Sequence, residues 1–309
     1  MMDAAATASD DLSAGGTLMR RAAWAAVAVA ATLIALKTIA YIVTDSIAMM
    51  ASLADSALDI FASSINVIAI RSALTPADAE HRFGHGKAEP LAGLAQSAFI
   101  AGSVAFLVIE SVSRLIAPHR IERGGLALGV MAVSIALTIG LVIFQQFTVT
   151  RTKSVAIGAD RMHYLGDLLT NLGVVIGVVL STQFRFLKAD PAIGLVVAAI
   201  LAWSAWHVFR QSYNQLMDRE LPDEDRAKIK TIVLTNPEVK SLHDLRTRAA
   251  GIHTFIQLHI ELDPGINLMR AHEVSDQVEK AVCAAFPNSQ VMIHQDPVGL
   301  ERPAPLARS

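Results

Sequence analysis

The first two thirds of the chain alternate long apolar runs with short polar segments. Each apolar run exceeds the roughly 20 residues that an α-helix needs to cross a bilayer. The runs are residues 22–44, 47–70, 91–116, 126–147, 154–180 and 191–213. The pattern therefore predicts six transmembrane helices, with both termini on one side of a lipid bilayer.

Beyond about residue 218 the hydrophobic pattern changes from long runs to short amphipathic helices and alternating strands. The predicted elements are a helix at 222–235, strands at 239–247 and 253–262, a helix at 269–286 and a strand at 290–295. About eighty residues can bury a modest core of their own. The pattern thus predicts a separate α/β domain with the order α-β-β-α-β.

These two patterns divide the chain into four predicted parts. Residues 1–21 are small and polar and are expected to form a disordered tail, followed by a six-helix transmembrane domain at 22–213. The α/β domain covers residues 214–298, and the proline-rich residues 299–309 are expected to be disordered. The predicted fold class is therefore an α-helical membrane protein with a C-terminal cytoplasmic α/β domain.

Composition supports this division and excludes several other classes of protein. Hydrophobic residues make up 53% of the 309 residues, charged residues make up 17%, and the mean hydropathy is +0.44, which is typical of a multi-pass membrane protein. A net charge of −2 gives no basic face for nucleic acid. The single cysteine, Cys283, excludes an intrachain disulfide and a multi-thiolate metal site. A slight excess of basic residues beside the terminal side favours cytoplasmic termini.

Charged residues inside two of the apolar runs form pairs spaced four residues apart. Asp55 and Asp59 lie in the second run, and His163 and Asp167 lie in the fifth. On a helix each pair points to one face, and carboxylates in a membrane usually mark an ion or substrate pathway. Two facing helices would bring together three carboxylates and one imidazole, a ligand set that suits zinc and similar divalent metals.

The polar segment between the second and third runs offers a further ligand set. Asp78, His81 and His85 follow one another at intervals of three and four residues, with Gly84 and Gly86 beside them. Two imidazoles and one carboxylate could bind zinc. A solvated loop that contains two histidines without a bound metal fits the sequence equally well.

Histidines are concentrated in the C-terminal domain, on predicted strands or near the start of a helix. The residues concerned are His243, His253, His259, His272 and His294, with Asp296 close to the last of them. Any one of these histidines is more often structural than a ligand. Together they could converge at one edge of the sheet and bind a metal, because neutral imidazole is the commonest metal ligand.

Two other charged residues inside the apolar runs receive structural interpretations. Lys37 lies in the first run, where a lysine that reaches the membrane surface or pairs within the bundle is favoured over a transport role. Asp160 lies three residues before His163. A helix-capping role at the membrane surface is favoured for Asp160 over support of the metal ligands.

Two alternative functions use the same residue types. A membrane metallopeptidase would also place histidines and carboxylates in membrane helices, but the sequence has no His-Glu-x-x-His motif. A membrane-anchored metal sensor would use only the C-terminal domain and leaves the Asp55 and Asp59 pair unexplained. An ATP-driven pump would need a nucleotide-binding P-loop, and no such motif occurs. Metal flux into sealed vesicles separates a transporter from the metallopeptidase and the sensor.

The six runs, the two spaced pairs, the loop motif Phe-Gly-His-Gly-Lys at residues 83–87 and the C-terminal domain resemble the cation diffusion facilitator family. The similarity covers residues 20–298 and is greatest to the bacterial branch that exports ferrous iron, zinc and cadmium. The resemblance implies a homodimeric metal/proton antiporter in the bacterial inner membrane, with zinc as the first candidate substrate and protons as the counter-ion. It also implies a metallochaperone-like cytoplasmic domain with a binuclear regulatory site.

The resemblance also implies which residues hold metal. The transported ion would be held by Asp55, Asp59, His163 and Asp167, a loop ion by Asp78, His81 and His85, and the regulatory ions by His243, His259, His272, His294 and Asp296. Val298 stands two residues after Asp296 where close relatives have a cysteine, so a sulfur ligand is not expected there.

Overall fold

The computed structural model of the chain describes residues 2–44, 47–116, 125–183 and 189–299. The chain forms two compact units, one covering Ser13–Tyr213 and the other containing the residues from Asn214 onward. Six long helices, which correspond to the six apolar runs, make up the first unit and extend a short way beyond it at both ends. They are α1 (Met2–Thr44), α2 (Ile47–Ala73), α3 (Ala88–Ile116), α4 (Gly125–Thr152), α5 (Val155–Gln183) and α6 (Ala189–Leu216).

The first helix extends into the residues that precede the first apolar run. Helix α1 begins at Met2, so most of residues 1–21 is helical and continuous with the first apolar run. The stretch is rich in alanine, the strongest helix former, and contains no proline that would stop the helix from extending backwards. The predicted C-terminal tail lies almost wholly at residues 300–309, outside the described residues.

Four of the six helices are long and apolar enough to cross a membrane by length and composition. The segments are Ala14–Val43, Ala88–Ser113, Gly129–Thr152 and Pro191–Leu216. Helices α2 and α5, as far as the structure describes them, fall outside this set. On α2 the buried Ser56, Asp59, Ser63 and Asn66 follow one another at intervals of three and four residues. They therefore share one face, which is directed into the helical unit.

The second unit confirms the predicted order α-β-β-α-β. Its elements are α7 (Asp223–Leu234), β1 (Ser241–Ala250), β2 (His253–Leu262), α8 (Leu268–Ala285) and β3 (Ser289–Pro297). Strands β1 and β2 form an antiparallel hairpin that turns at Gly251, where φ is +61°. Strand β3 pairs in parallel with β2 after a crossover through α8, which gives the sheet order β1-β2-β3.

Only one face of this sheet is covered by the helices. Ile256, Leu258 and Ile260 of β2 are buried against apolar residues of α7 and α8 such as Ile229 and Val278. Because strand residues alternate between faces, His259 lies on the opposite face of the sheet. The histidines on that face are therefore separated from α8 by the sheet itself.

Candidate metal centres

A buried cluster of metal-binding groups lies where α2 meets α5. The Nε2 atom of His163 is 3.1 Å from Oδ1 of Asp59 and 3.8 Å from Oδ2 of Asp167. One ligand atom from each residue lies within 4.8 Å of the others, and Asp59 and His163 are only 5% and 6% exposed. Two carboxylates and an imidazole at these distances can bind a divalent metal ion without a large rearrangement.

Asp55 is the remaining predicted ligand of this centre. Its side chain lies outside the described residues, so its membership stays a prediction. Its backbone lies on α2, one helical turn before Asp59. That spacing places the two side chains on the same face of the helix.

A tyrosine adjacent to the cluster connects three helices. The hydroxyl of Tyr164, which is 1% exposed, donates to the carbonyl oxygen of Ala26 on α1 at 3.3 Å. The same hydroxyl lies 2.8 Å from Oγ of Ser63 on α2. These contacts join α5 to α1 and α2 at the residue that follows His163.

Asp160 is fully buried, which contradicts the predicted capping role at the membrane surface. Its carboxylate accepts hydrogen bonds from Nε2 of Gln145 on α4 at 2.7 Å and from Nε2 of Gln96 on α3 at 3.3 Å. The same Gln96 amide group also donates to the carbonyl oxygen of Ala62 on α2 at 3.2 Å. Asp160 therefore joins α5 to the two helices beside it, one turn before His163.

The beginning of α5 is held by a carboxylate from α3. Glu89, which is 1% exposed, accepts hydrogen bonds from the hydroxyl of Ser154 and from the backbone N–H of Ala156. Ser154 in turn accepts from the backbone N–H of Ile157 at 3.3 Å, which is the contact of a helix N-cap. A negative charge at a helix N-terminus is favourable. Nothing in the sequence indicated this contact, because its partners are 65 positions apart.

The loop between α2 and α3 brings together the three residues predicted there. Oδ1 of Asp78 is 3.5 Å from Nδ1 of His81, and Oδ2 is 3.4 Å from Nε2 of His85. Asp78 also accepts hydrogen bonds from the backbone N–H groups of Glu80 and His81. The bond from His81 is the main reason that the pKa of Asp78 lies below its usual range. The carboxylate is thus ionised and fits a cation-binding loop.

Three histidines form a row across the exposed face of the C-terminal sheet. The strand register places His243 opposite His259 and His259 opposite His294. The ring centroids of neighbouring histidines are 5.1 Å and 4.5 Å apart. We call His243, His259 and His294 the histidine row. The predicted convergence therefore occurs across three adjacent strands.

Asp296 is the carboxylate at the centre of the histidine row. One oxygen lies 2.9 Å from His259 and 3.3 Å from His243, and the other lies 3.2 Å from His294. Partial burial raises the pKa of Asp296, but the hydrogen bond from His259 and the nearby imidazoles lower it, with a net value below the usual range. An ionised carboxylate with two oxygens directed at different imidazoles can bridge two ions.

His272 does not join the histidine row within one subunit. It lies on α8, largely exposed, with its Nε2 atom 3.9 Å from Asp276 on the same helix. Helix α8 packs on the apolar face of the sheet, whereas His259 is on the other face. The place of His272 in the predicted set of five ligands therefore stays a prediction. A sequence does not show which face of a sheet a helix covers.

The sequence matches two family models over almost the whole described chain. The model of the cation efflux transmembrane domain matches residues 23–217, and that of the cation efflux protein cytoplasmic domain matches residues 221–298. The chain belongs to the cation diffusion facilitator family. Members of this family are membrane transporters of cations, so this protein is a transporter of divalent metal ions rather than an enzyme.

Two relatives in the family have similar lengths. The cation-efflux pump FieF of Klebsiella pneumoniae is 42% identical over 282 residues, which are 91% of this chain and 94% of the relative. FieF of Shewanella oneidensis is 44% identical over 283 residues, which are 92% of this chain and 95% of the relative.

Among solved structures, CzrB in its zinc form shares 31% identity over 28% of this chain and 99% of its own, with a TM-score of 0.26. The metal-bound C-terminal domain of the CzcD transporter from Thermotoga maritima shares 26% identity over 26% and 93%, with a TM-score of 0.25.

Proposed function

We propose that this protein exports a divalent metal cation from the cytoplasm in exchange for protons. The buried cluster of Asp59, His163 and Asp167 carries this proposal, because a membrane helix seldom buries such groups without an ion pathway. Asp55 completes the proposed transport site from the same face of α2. The protein acts as a homodimer in the bacterial inner membrane, with both termini in the cytoplasm.

Proton exchange follows from the chemistry of the proposed ligands. An imidazole binds metal only when it is neutral, and a carboxylate binds best when it is ionised. Protons and metal ions therefore compete for the same lone pairs on His163, Asp59 and Asp167. On the cytoplasmic side, where the pH is higher, the metal is bound. On an acidic exterior, protons displace it, and the protonated site returns inward without any need for ATP.

The mixed oxygen and nitrogen ligands favour zinc as the transported ion, with iron(II) and cadmium as further substrates. Zinc accepts tetrahedral sites built from imidazole and carboxylate, whereas calcium and magnesium prefer oxygen ligands alone. The single imidazole of His163 is therefore the group that selects against these harder ions.

The loop and the histidine row would hold ions that are not transported. Asp78, His81 and His85 fit one ion, and the histidine row with Asp296 fits one or two, since each set combines imidazoles with an ionised carboxylate. A bound ion would neutralise that carboxylate and hold the contributing strands together. The histidine row is proposed to be regulatory, because metal bound outside the membrane can change the preference between conformations without itself being carried.

Transport in sealed everted vesicles tests the main proposal. Zinc is expected to accumulate inside vesicles that contain the protein when their interior is acidic, and a protonophore is expected to abolish the accumulation. Vesicles without the protein serve as the control, and a panel of ions ranks the substrates. Accumulation that ignores the pH difference would contradict antiport. The absence of flux for every ion would favour the membrane-anchored sensor.

The regulatory site is expected to bind zinc in the isolated C-terminal unit, which has its own apolar core. Zinc should raise the melting temperature of a fragment of residues 218–298, as any ligand of the native state does. His243→Ala should weaken zinc binding by about tenfold or more. His253→Ala is the matched control, because His253 begins β2 outside the histidine row. Calorimetry that detects no zinc binding would leave the histidine row with a structural role only.

A further inference from the structure

Lys37 is a buried lysine in a helix that crosses the membrane. It lies in the second half of the apolar run of α1, seven residues before the helix ends at Thr44, and only 9% of its surface is exposed. Its Nζ atom donates a hydrogen bond of 2.6 Å to Oγ of Ser56 on α2, and Ser56 is fully buried. The ammonium group is therefore held between α1 and α2 inside the helical unit.

The hydrogen bond to Ser56 places this ammonium group beside the proposed transport site. Ser56 follows Asp55 directly and precedes Asp59 by three residues on α2. Side chains three apart share a helix face, with Cβ atoms about 5–6 Å apart. Ser56 and Asp59 are both buried on that face. The positive charge of Lys37 thus lies within about one helical turn of the carboxylate that contacts His163.

Lys37 offsets negative charge that the proposed ligands leave uncompensated. Asp55, Asp59 and Asp167 bring three negative charges, and a divalent ion beside a neutral His163 neutralises two of them. The remaining negative charge would be unfavourable in a medium of low dielectric constant. The ammonium group of Lys37 supplies one positive charge, so the three proposed carboxylate ligands, the metal ion and Lys37 together have no net charge. The buried Asp160 is not counted in this set.

We propose that Lys37 is a tethered cation of the transport site, which balances the charge of the loaded site and weakens metal binding enough for release. This inference rests on the assignment of the transport site in the proposed function. Lys37 is not a ligand, because an ammonium group has no lone pair to offer. It acts by repulsion, since two positive charges a few ångströms apart in a partly desolvated site oppose each other appreciably.

The experiment replaces Lys37 in the full-length protein and measures zinc uptake in everted vesicles. Lys37→Met is expected to lower the zinc concentration for half-maximal uptake by about tenfold. It is also expected to lower the maximal rate, because a more tightly held ion leaves more slowly. Lys37→Arg keeps the charge and should leave the half-saturating concentration near its original value. Lys37→Gln removes the charge but can still donate a hydrogen bond to Ser56. This variant replaces Lys37→Met in the experiment if the methionine variant does not fold.

Ser56→Ala is the matched control, because it removes the hydrogen bond and keeps the ammonium group. It should shift the half-saturating concentration much less than Lys37→Met does. A structural role for Lys37 would lower the maximal rate without tightening binding. An unchanged or higher half-saturating concentration in both uncharged variants would therefore overturn the proposal.

The same vesicles distinguish this inference from the proposed function. Asp59→Ala should lose zinc uptake whether or not Lys37 has the proposed role. If Asp59→Ala still transports zinc, the transport site itself is wrongly assigned. If Asp59→Ala is inactive but neither uncharged variant of Lys37 tightens binding, only the role of Lys37 is rejected.

Discussion

Asp59→Ala is expected to abolish zinc uptake while the protein remains folded. The change removes a proposed ligand and the partner of His163 at 3.1 Å. Loss of a group that merely supports a ligand lowers metal affinity about 10–100-fold, so loss of a ligand should reduce uptake at least 100-fold. Initial rates of zinc uptake in everted vesicles measure the effect, with expression level and melting temperature recorded alongside.

Ser63→Ala is the matched control for this variant. Ser63 lies one turn beyond Asp59 on the same buried face of α2 and contacts Tyr164 rather than the cluster. It should retain most of the uptake although it also loses a buried polar contact. Zinc flux that persists in Asp59→Ala would reject the assignment of the transport site.

Asp160→Ala should destabilise the helical unit more than any single exposed substitution. It leaves the amide N–H groups of Gln96 and Gln145 without their acceptor in a buried setting. An unsatisfied buried donor costs about 1–3 kcal/mol, so two of them should lower the free energy of unfolding by about 2–6 kcal/mol. Thermal unfolding of the purified protein in one detergent measures the loss. Uptake should also fall, because α5 carries His163 one turn later.

Two further variants calibrate this measurement. Asp160→Asn keeps the size of the side chain and one acceptor oxygen, so its melting temperature should fall between those of the original protein and Asp160→Ala. Asp276→Asn alters a carboxylate with only exposed contacts on α8, and such contacts contribute about 1 kcal/mol or less. Equal melting temperatures for Asp160→Ala and Asp276→Asn would show that the buried hydrogen bonds contribute little.

Local patterns in the sequence determined the elements and the pairs of ligands that lie on single elements. The length of the apolar runs predicted the six long helices, because a helix that crosses a membrane is apolar along its whole span. The periodic alternation of apolar and polar residues predicted the α-β-β-α-β order, because each of those elements buries one face. The spacing of His163 and Asp167, or of Asp55 and Asp59, follows from 3.6 residues per helical turn alone. The loop group of Asp78 could likewise be anticipated, since its members are close in sequence.

The tertiary structure decided every relationship that joins different elements. The histidine row depends on the strand register, and a shift of one residue would turn His259 to the other face. The separation of His272 from the histidine row within one subunit depends on which face α8 covers. The contacts of Glu89 with α5, of Asp160 with two glutamines and of Lys37 with Ser56 join positions from 15 to 67 apart. A periodic pattern shows which side of an element is buried, but only the packing of helices and strands determines which buried side chains meet.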